Sequence, residues 1–358
     1  MSAFTASERP ALITGGAGFV GTNVAWRLLE MGRPVLLFDN LSRPGVERNL
    51  AALRRRFGDQ ARLITGDVRD GAALAAAVAQ AGQVYHFAAQ VAVTTSLADP
   101  LGDFEINARG TVNLLEAMRR LDNPPSLLFT STNKVYGSLP DVGLRLEGER
   151  YQPTDPATRA HGIGEGRPLD FHSPYGCSKG AADQYVIDYA RTFDLPAVVF
   201  RMSCIYGPHQ QGNEDQGWVA HFLIRALEGR PLTIYGDGKQ VRDVLYVDDL
   251  VNAMLLAQHN IGRLSGQAFN IGGGAANTLS LLELLDQIGE LHGERPLAGF
   301  AATRPGDQRF YVSDIRAFQA ATGWTPTVGV REGIERLAAW VLESKGGALA
   351  RAAGELAR

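Results

Sequence analysis

Residues 12–21 read LITGGAGFVG, from Leu12 to Gly21. An apolar run, Pro10–Thr14, reaches this stretch as a strand, and a helical pattern leaves it and continues to about Gly32. Gly15, Gly18 and Gly21 are spaced three apart between the two. The tight turn needs a residue without a Cβ, and a backbone free of side chains can approach a pyrophosphate closely. The first turn of the following helix offers free N–H groups and partial positive charge to the phosphates. The segment therefore reads as the first strand–turn–helix of a dinucleotide-binding sheet, with Gly15, Gly18, Phe19 and Val20 against the cofactor.

Working outward, further strands are expected at Pro34–Asp39, Ala61–Thr65, Gln83–Ala89, Ser126–Ser131 and Ala197–Met202. They are rich in Val, Leu, Ile and Phe without polar alternation, the pattern of a parallel sheet covered on both faces. Helices are expected between them, at Gly71–Ala81, Leu101–Leu121 and Tyr175–Phe193. This alternation predicts an α/β fold: a Rossmann-type doubly wound parallel sheet with a smaller, mixed α/β substrate-binding lobe. Ser138–His172, rich in Gly, Pro and charge, reads as an inserted loop near the site. After Gly207, helices are expected near Trp218–Gly229, Leu279–Glu290 and Arg331–Ser344, with a return of the chain to the sheet near Val241–Ile271 and a frayed tail at Gly346–Arg358. The division is then 1–202 and 241–272 for the cofactor, and 203–240 and 273–358 for the substrate lobe.

Several residues complete the cofactor reading. Asp39 ends the second strand where a carboxylate can accept both ribose hydroxyls. It repels a 2′-phosphate, and Asn40 rather than Arg follows it, so NAD is favoured over NADP. Asp67 and Val68 in GDVRD follow the third strand and are placed to reach an adenine, although Asp67 could equally cap a helix. Ala88 and Ala89 end the fourth strand, where small side chains let a dinucleotide lie close.

The chemistry points to Tyr175 and Lys179, four apart on one helical face as YxxxK. Phenol ionises near pH 10, so a tyrosine base needs help, and a neighbouring ammonium supplies it. Lys179 can also hold the nicotinamide ribose. Thr132 lies at the C-terminal end of the fifth strand, the edge where open α/β sheets bind ligands, and its hydroxyl can bond the oxygen being oxidised. YxxxK alone is a common accident of helix surfaces. Its weight comes from following the glycine turn, five strands and a strand-end hydroxyl in that order.

That order, TGGAGFVG, FEINARGT with Asn107, TSTNKVYG and YGCSK, resembles the extended short-chain dehydrogenase/reductases over nearly the whole chain. RDVLYVDDL and RPGDQR resemble the nucleotide-sugar epimerases and dehydratases among them. The resemblance implies tightly bound NAD and epimerisation through a transient ketone, with Thr132, Tyr175 and Lys179 as the catalytic triad. It implies that Asn107 bends its helix and supports the lysine, and that Arg242 and Arg304 bind the nucleotide diphosphate, a role suited to a forked, permanently charged donor. Dehydratases of the group carry an Asp-Glu pair after the threonine. Here the pair is Asn133 and Lys134, which disfavours dehydration. STNKVYG, the long segment before Tyr175, and DQGWV at Asp215–Val219 resemble the members acting at C2 of a CDP-linked hexose; oxidation at C4 of a UDP-sugar is the rival. Asn133, Cys204 and Trp218 are expected at the sugar, with His172 and Ser173 as further lining residues. Cys204 stands where many relatives carry asparagine. A dinucleotide-sensing scaffold is the reading outside enzymes, and the presence of both Tyr175 and Lys179 opposes it.

Composition agrees with this frame. The 358 residues are 45% hydrophobic and 20% charged, an ordinary globular balance. A net charge of −3 advertises no nucleic acid, and two cysteines in no ligand spacing suggest neither a disulfide framework nor a metal. No signal peptide is read before Ala11 and no run is long enough to span a bilayer, so a cytoplasmic enzyme is expected. The resemblance implies a homodimer or tetramer formed through Leu101–Leu121 and Tyr175–Phe193.

Overall fold

The computed structural model describes residues 9–304 and 306–356, with side chains to residue 344. Seven parallel strands form its centre, in the order Ala268–Ile271, Ala197–Met202, Ser126–Thr132, Gln83–His86, Ala11–Thr14, Val35–Asp39, Ala61–Thr65. The order reverses between the first strand and Gln83–His86, which opens a crevice beyond their C-terminal ends.

Both faces of the sheet are buried, as the unbroken apolar strands require. Ile13, Leu37 and Tyr85 point into one core with Val24 and Leu28 of the first helix and Leu250 and Met254 of Val247–His259. Their neighbours Leu12, Leu36 and Val84 point into the other, against Leu74, Leu114, Met118 and Val186. Each such fully buried aliphatic side chain contributes roughly 1.5–3 kcal/mol relative to exposure.

The lobe has its own core around Phe222, Leu223, Leu285 and Ile334. Its sheet joins Val241–Tyr246 to Thr278–Ser280, Phe310–Tyr311 and Cys204–Tyr206. The return to the main sheet is thus narrower than expected: Ala268–Ile271 makes it, while Val241–Tyr246 pairs within the lobe.

Three further differences have local causes. The helix expected over Leu101–Leu121 is three segments, Pro100–Phe104, a π-helical turn at Glu105–Arg109, and Gly110–Arg119. Asn107 lies inside the π turn and spends its side chain on partners outside the helix. Ser138–His172 is not irregular throughout. It holds a hairpin, Leu144–Glu147 with Arg150–Pro153, and a short helix, Pro156–His161, started by an Asp155 cap with Pro at the first position. Gly346–Arg358 does not fray as expected. The helix beginning at Val330 runs to Leu356, through a stretch in which the good helix formers Ala, Leu, Arg and Glu outnumber Gly346, Gly347 and Gly354; the last two residues lie outside the described ones. Residues 1–8, where no signal peptide was read, lie outside them too. No helix among the described residues is long and apolar enough to cross a membrane.

Candidate active site

A cavity of about 560 Å³ lies along the crevice and continues between sheet and lobe. At its sheet end the glycines are required individually. Gly15 has φ +66°, and a Cβ there would sit 2.8 Å from the Ala88 nitrogen. At Gly21 a Cβ would lie 2.3 Å from the Gly15 carbonyl oxygen. Gly18 caps the helix Phe19–Glu30 with extended backbone and no side-chain bond, leaving the first-turn N–H groups open to a ligand. Asp39 braces the turn: its carboxylate accepts from the Ala17 N–H at 3.0 Å and the Leu41 N–H at 2.8 Å. Asp67 is not a helix cap, a role taken by Asp70. Instead Asn40 donates to it at 2.9 Å and the Arg69 guanidinium grips it with two bonds, holding its carboxyl well below the usual carboxylate range. Phe19, Val20, Val68, Ala88 and Ala89 line the same end.

The cavity suits a dinucleotide. Among the described residues, the buried hydroxyls of Thr94 and Ser131 line it and have no hydrogen-bond partner in the protein. Buried polar groups are normally paired, so these two are ready for a polar ligand.

Thr132, Tyr175 and Lys179 meet farther along the cavity. The helix Ser173–Thr192 sets Tyr175 and Lys179 one turn apart, and Thr132 ends its strand beside them. Lys179 is 4% exposed. Its Nζ donates to the Thr130 carbonyl at 2.6 Å and lies 4.3 Å from the centre of the Phe129 ring. Burial lowers this ammonium to about 7, against the opposing pull of Asp183 and Asp103. Burial pushes the Tyr175 phenol up to about 12, partly offset by a hydrogen bond with Thr132. Lys179 does not figure among the influences on this phenol: burial and the Asp103 charge raise it, and only the Thr132 hydrogen bond opposes them.

Among the described residues, Asn107 makes no hydrogen bond to the lysine. Its side-chain amide donates at 3.0–3.1 Å to the Gln90 carbonyl, to Asp103 and to the hydroxyl of Ser178, the lysine's neighbour in sequence.

At the lobe end, Asn133 donates to Gln308 at 3.2 Å. The Lys134 ammonium donates to the Gly306 carbonyl at 2.9 Å and stands 3.9 Å from Asp307; burial, aided by Arg242, lowers it to about 8. Arg242 donates to Asp307 at 2.7 Å. Arg304 lies 3.7 Å over the Tyr235 ring and donates to the Glu214 carbonyl at 2.9 Å. Both arginines line the cavity rather than an outer surface. The Trp218 indole N–H donates to the Cys204 sulfur at 3.3 Å, and burial pushes that thiol up. His172 and Ser173, expected at the sugar, do not line the cavity. They occupy the start of the helix, His172 as its cap and Ser173 with φ +66°, so that Tyr175 is the first residue of that turn to reach inward.

Sequence reasoning missed Thr94, Ser131, Gln210, Arg43 and Asp307, all of which line the cavity. Asp307 stood inside the quoted RPGDQR. Arg43 carried no signal; its position is set by a bond to Gln216 across the fold. A sharper signal was available in the lysines. The chain has only four, Lys134, Lys179, Lys239 and Lys345, and two of them line this cavity. Lysine titrates when buried and arginine does not, so a chain that otherwise uses arginine marks these two positions.

The model of the NAD dependent epimerase/dehydratase family matches residues 11–272. The chain is 42% identical to CDP-paratose 2-epimerase of Salmonella typhi, over 92% of this chain and 98% of that protein. The structure of Thermus thermophilus UDP-glucose 4-epimerase in complex with NAD is similar at a TM-score of 0.77 and 33% identity, covering 92% of this chain and 98% of that one. Thermotoga maritima UDP-glucose 4-epimerase with UDP-glucose is similar at a TM-score of 0.79 and 30% identity, covering 94% and 99%.

Proposed function

The chain belongs to the NAD dependent epimerase/dehydratase family, and from this premise we propose that it inverts one carbon of a nucleotide-linked sugar, C2 of a CDP-hexose, through a transient ketone. The observation that carries the reading is the convergence of Thr132, Tyr175 and Lys179 in one cavity with the glycine turn and with Arg242 and Arg304.

Gly15, Gly18, Phe19 and Val20 would hold the pyrophosphate of NAD, Asp39 and Asn40 its ribose, Asp67 and Val68 its adenine, and Ala88, Ala89 and Lys179 its nicotinamide end. Bound there, it supplies reversible hydride acceptance and a positive charge that favours the phenolate. Tyr175 takes the proton of the sugar hydroxyl as that carbon is oxidised, and Thr132 holds the same oxygen. The ketone turns and presents its other face, and Tyr175 returns the proton as the carbon is reduced. Arg242 and Arg304 keep the nucleotide diphosphate anchored meanwhile. Asn133, Cys204 and Trp218 shape the sugar end. Asn133 cannot transfer a catalytic proton, and the Lys134 ammonium is no carboxylate base, so the ketone is not steered to dehydration.

The cofactor is assigned to 1–202 and 241–272 and the sugar nucleotide to 203–240 and 273–358, with Val241–Tyr246 as the strand whose pairing lies with the lobe. The rival substrate, a UDP-sugar inverted at C4, draws on the two UDP-glucose 4-epimerase structures. Assays with CDP- and UDP-hexoses in deuterium oxide, read by NMR, separate the two. The expected result is inversion at C2 of a CDP-hexose with no deuterium at the inverted carbon. Inversion of UDP-hexoses alone at C4 selects the rival, and solvent deuterium at the inverted carbon removes the hydride route altogether.

We also read the protein as a cytoplasmic homo-oligomer. Leu101, Phe104 and Tyr185 are 70%, 51% and 47% exposed on the adjacent helices Pro100–Phe104 and Ser173–Thr192, an apolar surface suited to a second copy. Light scattering is expected to give twice the chain mass or more; a strictly monomeric species would contradict the oligomer.

A further inference from the structure

Two buried charges near the reaction centre are left without partners of opposite sign in direct contact. Lys179 is 4% exposed, and among the described residues its ammonium has only the Thr130 carbonyl within hydrogen-bond reach. Asp103 is 1% exposed and is held by neutral groups alone: Gln90 at 2.9 Å, Asn107 at 3.1 Å and the Ser178 hydroxyl. A lone buried charge is costly and tends to neutralise itself. The remaining carboxylate near the lysine, Asp183, cannot serve it fully. Two 2.9 Å bonds commit it to Arg201. Asp103 is joined to the lysine's neighbour through one side-chain bond, from Ser178, whose hydroxyl also lies 3.2 Å from the Tyr175 carbonyl.

We propose that Asp103 is a positioning residue for the reaction: its carboxylate, beside Asp183, is a balancing charge that keeps Lys179 an ammonium, and its bond to Ser178 sets the turn presenting Tyr175 and Lys179. The inference rests on the role given to Lys179 above. It gives the π turn a function, since Asp103 sits just ahead of that turn and Asn107 within it, both reaching Ser178. It also connects the exposed residues Leu101 and Phe104, which flank Asp103, with the catalytic helix.

The other ionisable groups facing this pair are few. Tyr175 and Asp183 share the lysine's helix, with Arg201 on Asp183; His86 approaches from its strand, and Asp99 from the start of the Asp103 helix. His86, lowered to about 3 by burial and the lysine, stays neutral, so it brings no competing charge above pH 4. Asp103 itself is raised by burial and drawn back by Ser178 and Lys179, as a carboxylate balanced by a distant cation should be.

The test is Asp103→Asn, with Asp103→Glu as the charge-restoring variant and Ser178→Ala as the variant that removes only the bond. Lys179 is read directly by NMR of the chain labelled with ¹³C at lysine Cε, where four lysines keep the spectrum assignable. Loss of the carboxylate is expected to lower the Lys179 titration midpoint by about one pH unit, the ordinary size of a nearby-charge effect. The alkaline limb of kcat/KM should move down with it, costing about tenfold above that limb. Asp103→Glu should restore both, and Ser178→Ala should leave the midpoint in place while lowering kcat. If Asp103→Asn does not fold, Asp103→Ser serves as the charge-removing variant under the same criteria. A Lys179 midpoint in Asp103→Asn within about 0.2 of wild type, or in Ser178→Ala shifted as far as the charge variant, overturns the proposal. A wild type that turns over no nucleotide sugar would defeat the functional reading and leave the NMR titration intact as a separate result.

Discussion

Tyr175→Phe is expected to lower turnover by about 10³-fold, the range set by removing a positioned acid–base group, while NAD stays bound at wild-type stoichiometry. The substitution deletes one oxygen and keeps the ring. Its neighbours Lys179, Thr132 and Ser131 keep their places, because they are held by the Thr130 carbonyl, the Lys134 N–H and the central strand. The contacts proposed for the cofactor lie mainly at the glycine turn and strand ends. Lost chemistry with retained cofactor therefore isolates proton transfer, and the measurement is steady-state turnover beside the NAD content of the purified protein. Turnover within tenfold of wild type would remove Tyr175 from the mechanism. The raised phenol sharpens the expectation. With its ionisation near 12 before cofactor is bound, the group is poor as a base by itself, and its activity depends on positive charge arriving beside it.

The largest expected effect on stability is in the middle of the same helix. Asp183, fully buried, holds Arg201 through two bonds, and Arg201 donates in turn to Tyr136, whose hydroxyl donates to Asn270 at 2.8 Å. Asn270 then donates to the Ile163 carbonyl, tying in the inserted segment. Removing one member of a buried pair strands the other charge, at about 3–5 kcal/mol. Asp183→Ala should thus lower the urea midpoint steeply and reduce soluble yield. Replacing both members, as Asp183→Leu with Arg201→Met, should recover most of the loss, since apolar groups of similar volume need no partner. A single variant within about 1 kcal/mol of wild type would show that the pair is already solvated. The network runs from the helix that carries Tyr175 through two strands to the insertion, so its loss should also loosen the cavity's lobe side.

The main sheet and the cofactor end were legible in the chain because both depend on local rules. A strand buried on both faces must be apolar throughout, and a turn with φ +66° against a neighbouring strand must be glycine, so Ile13, Leu37 and Gly15 declare their places. YxxxK declares itself similarly, as one helix turn. Contacts between segments far apart carry no such mark. Whether Val241–Tyr246 joins the main sheet or the lobe depends on which edges are free after folding. Whether His172 faces the cavity depends on where a helix begins to point inward. Asp103 reads as an unremarkable acid in LGDFEIN and acquires meaning only when Ser178, 75 residues on, is packed against it. Ionisation followed the same division: the tyrosine and lysine were recognisable by type and spacing, but the direction of their shifts was set by burial, which exists only once the cavity has closed around them.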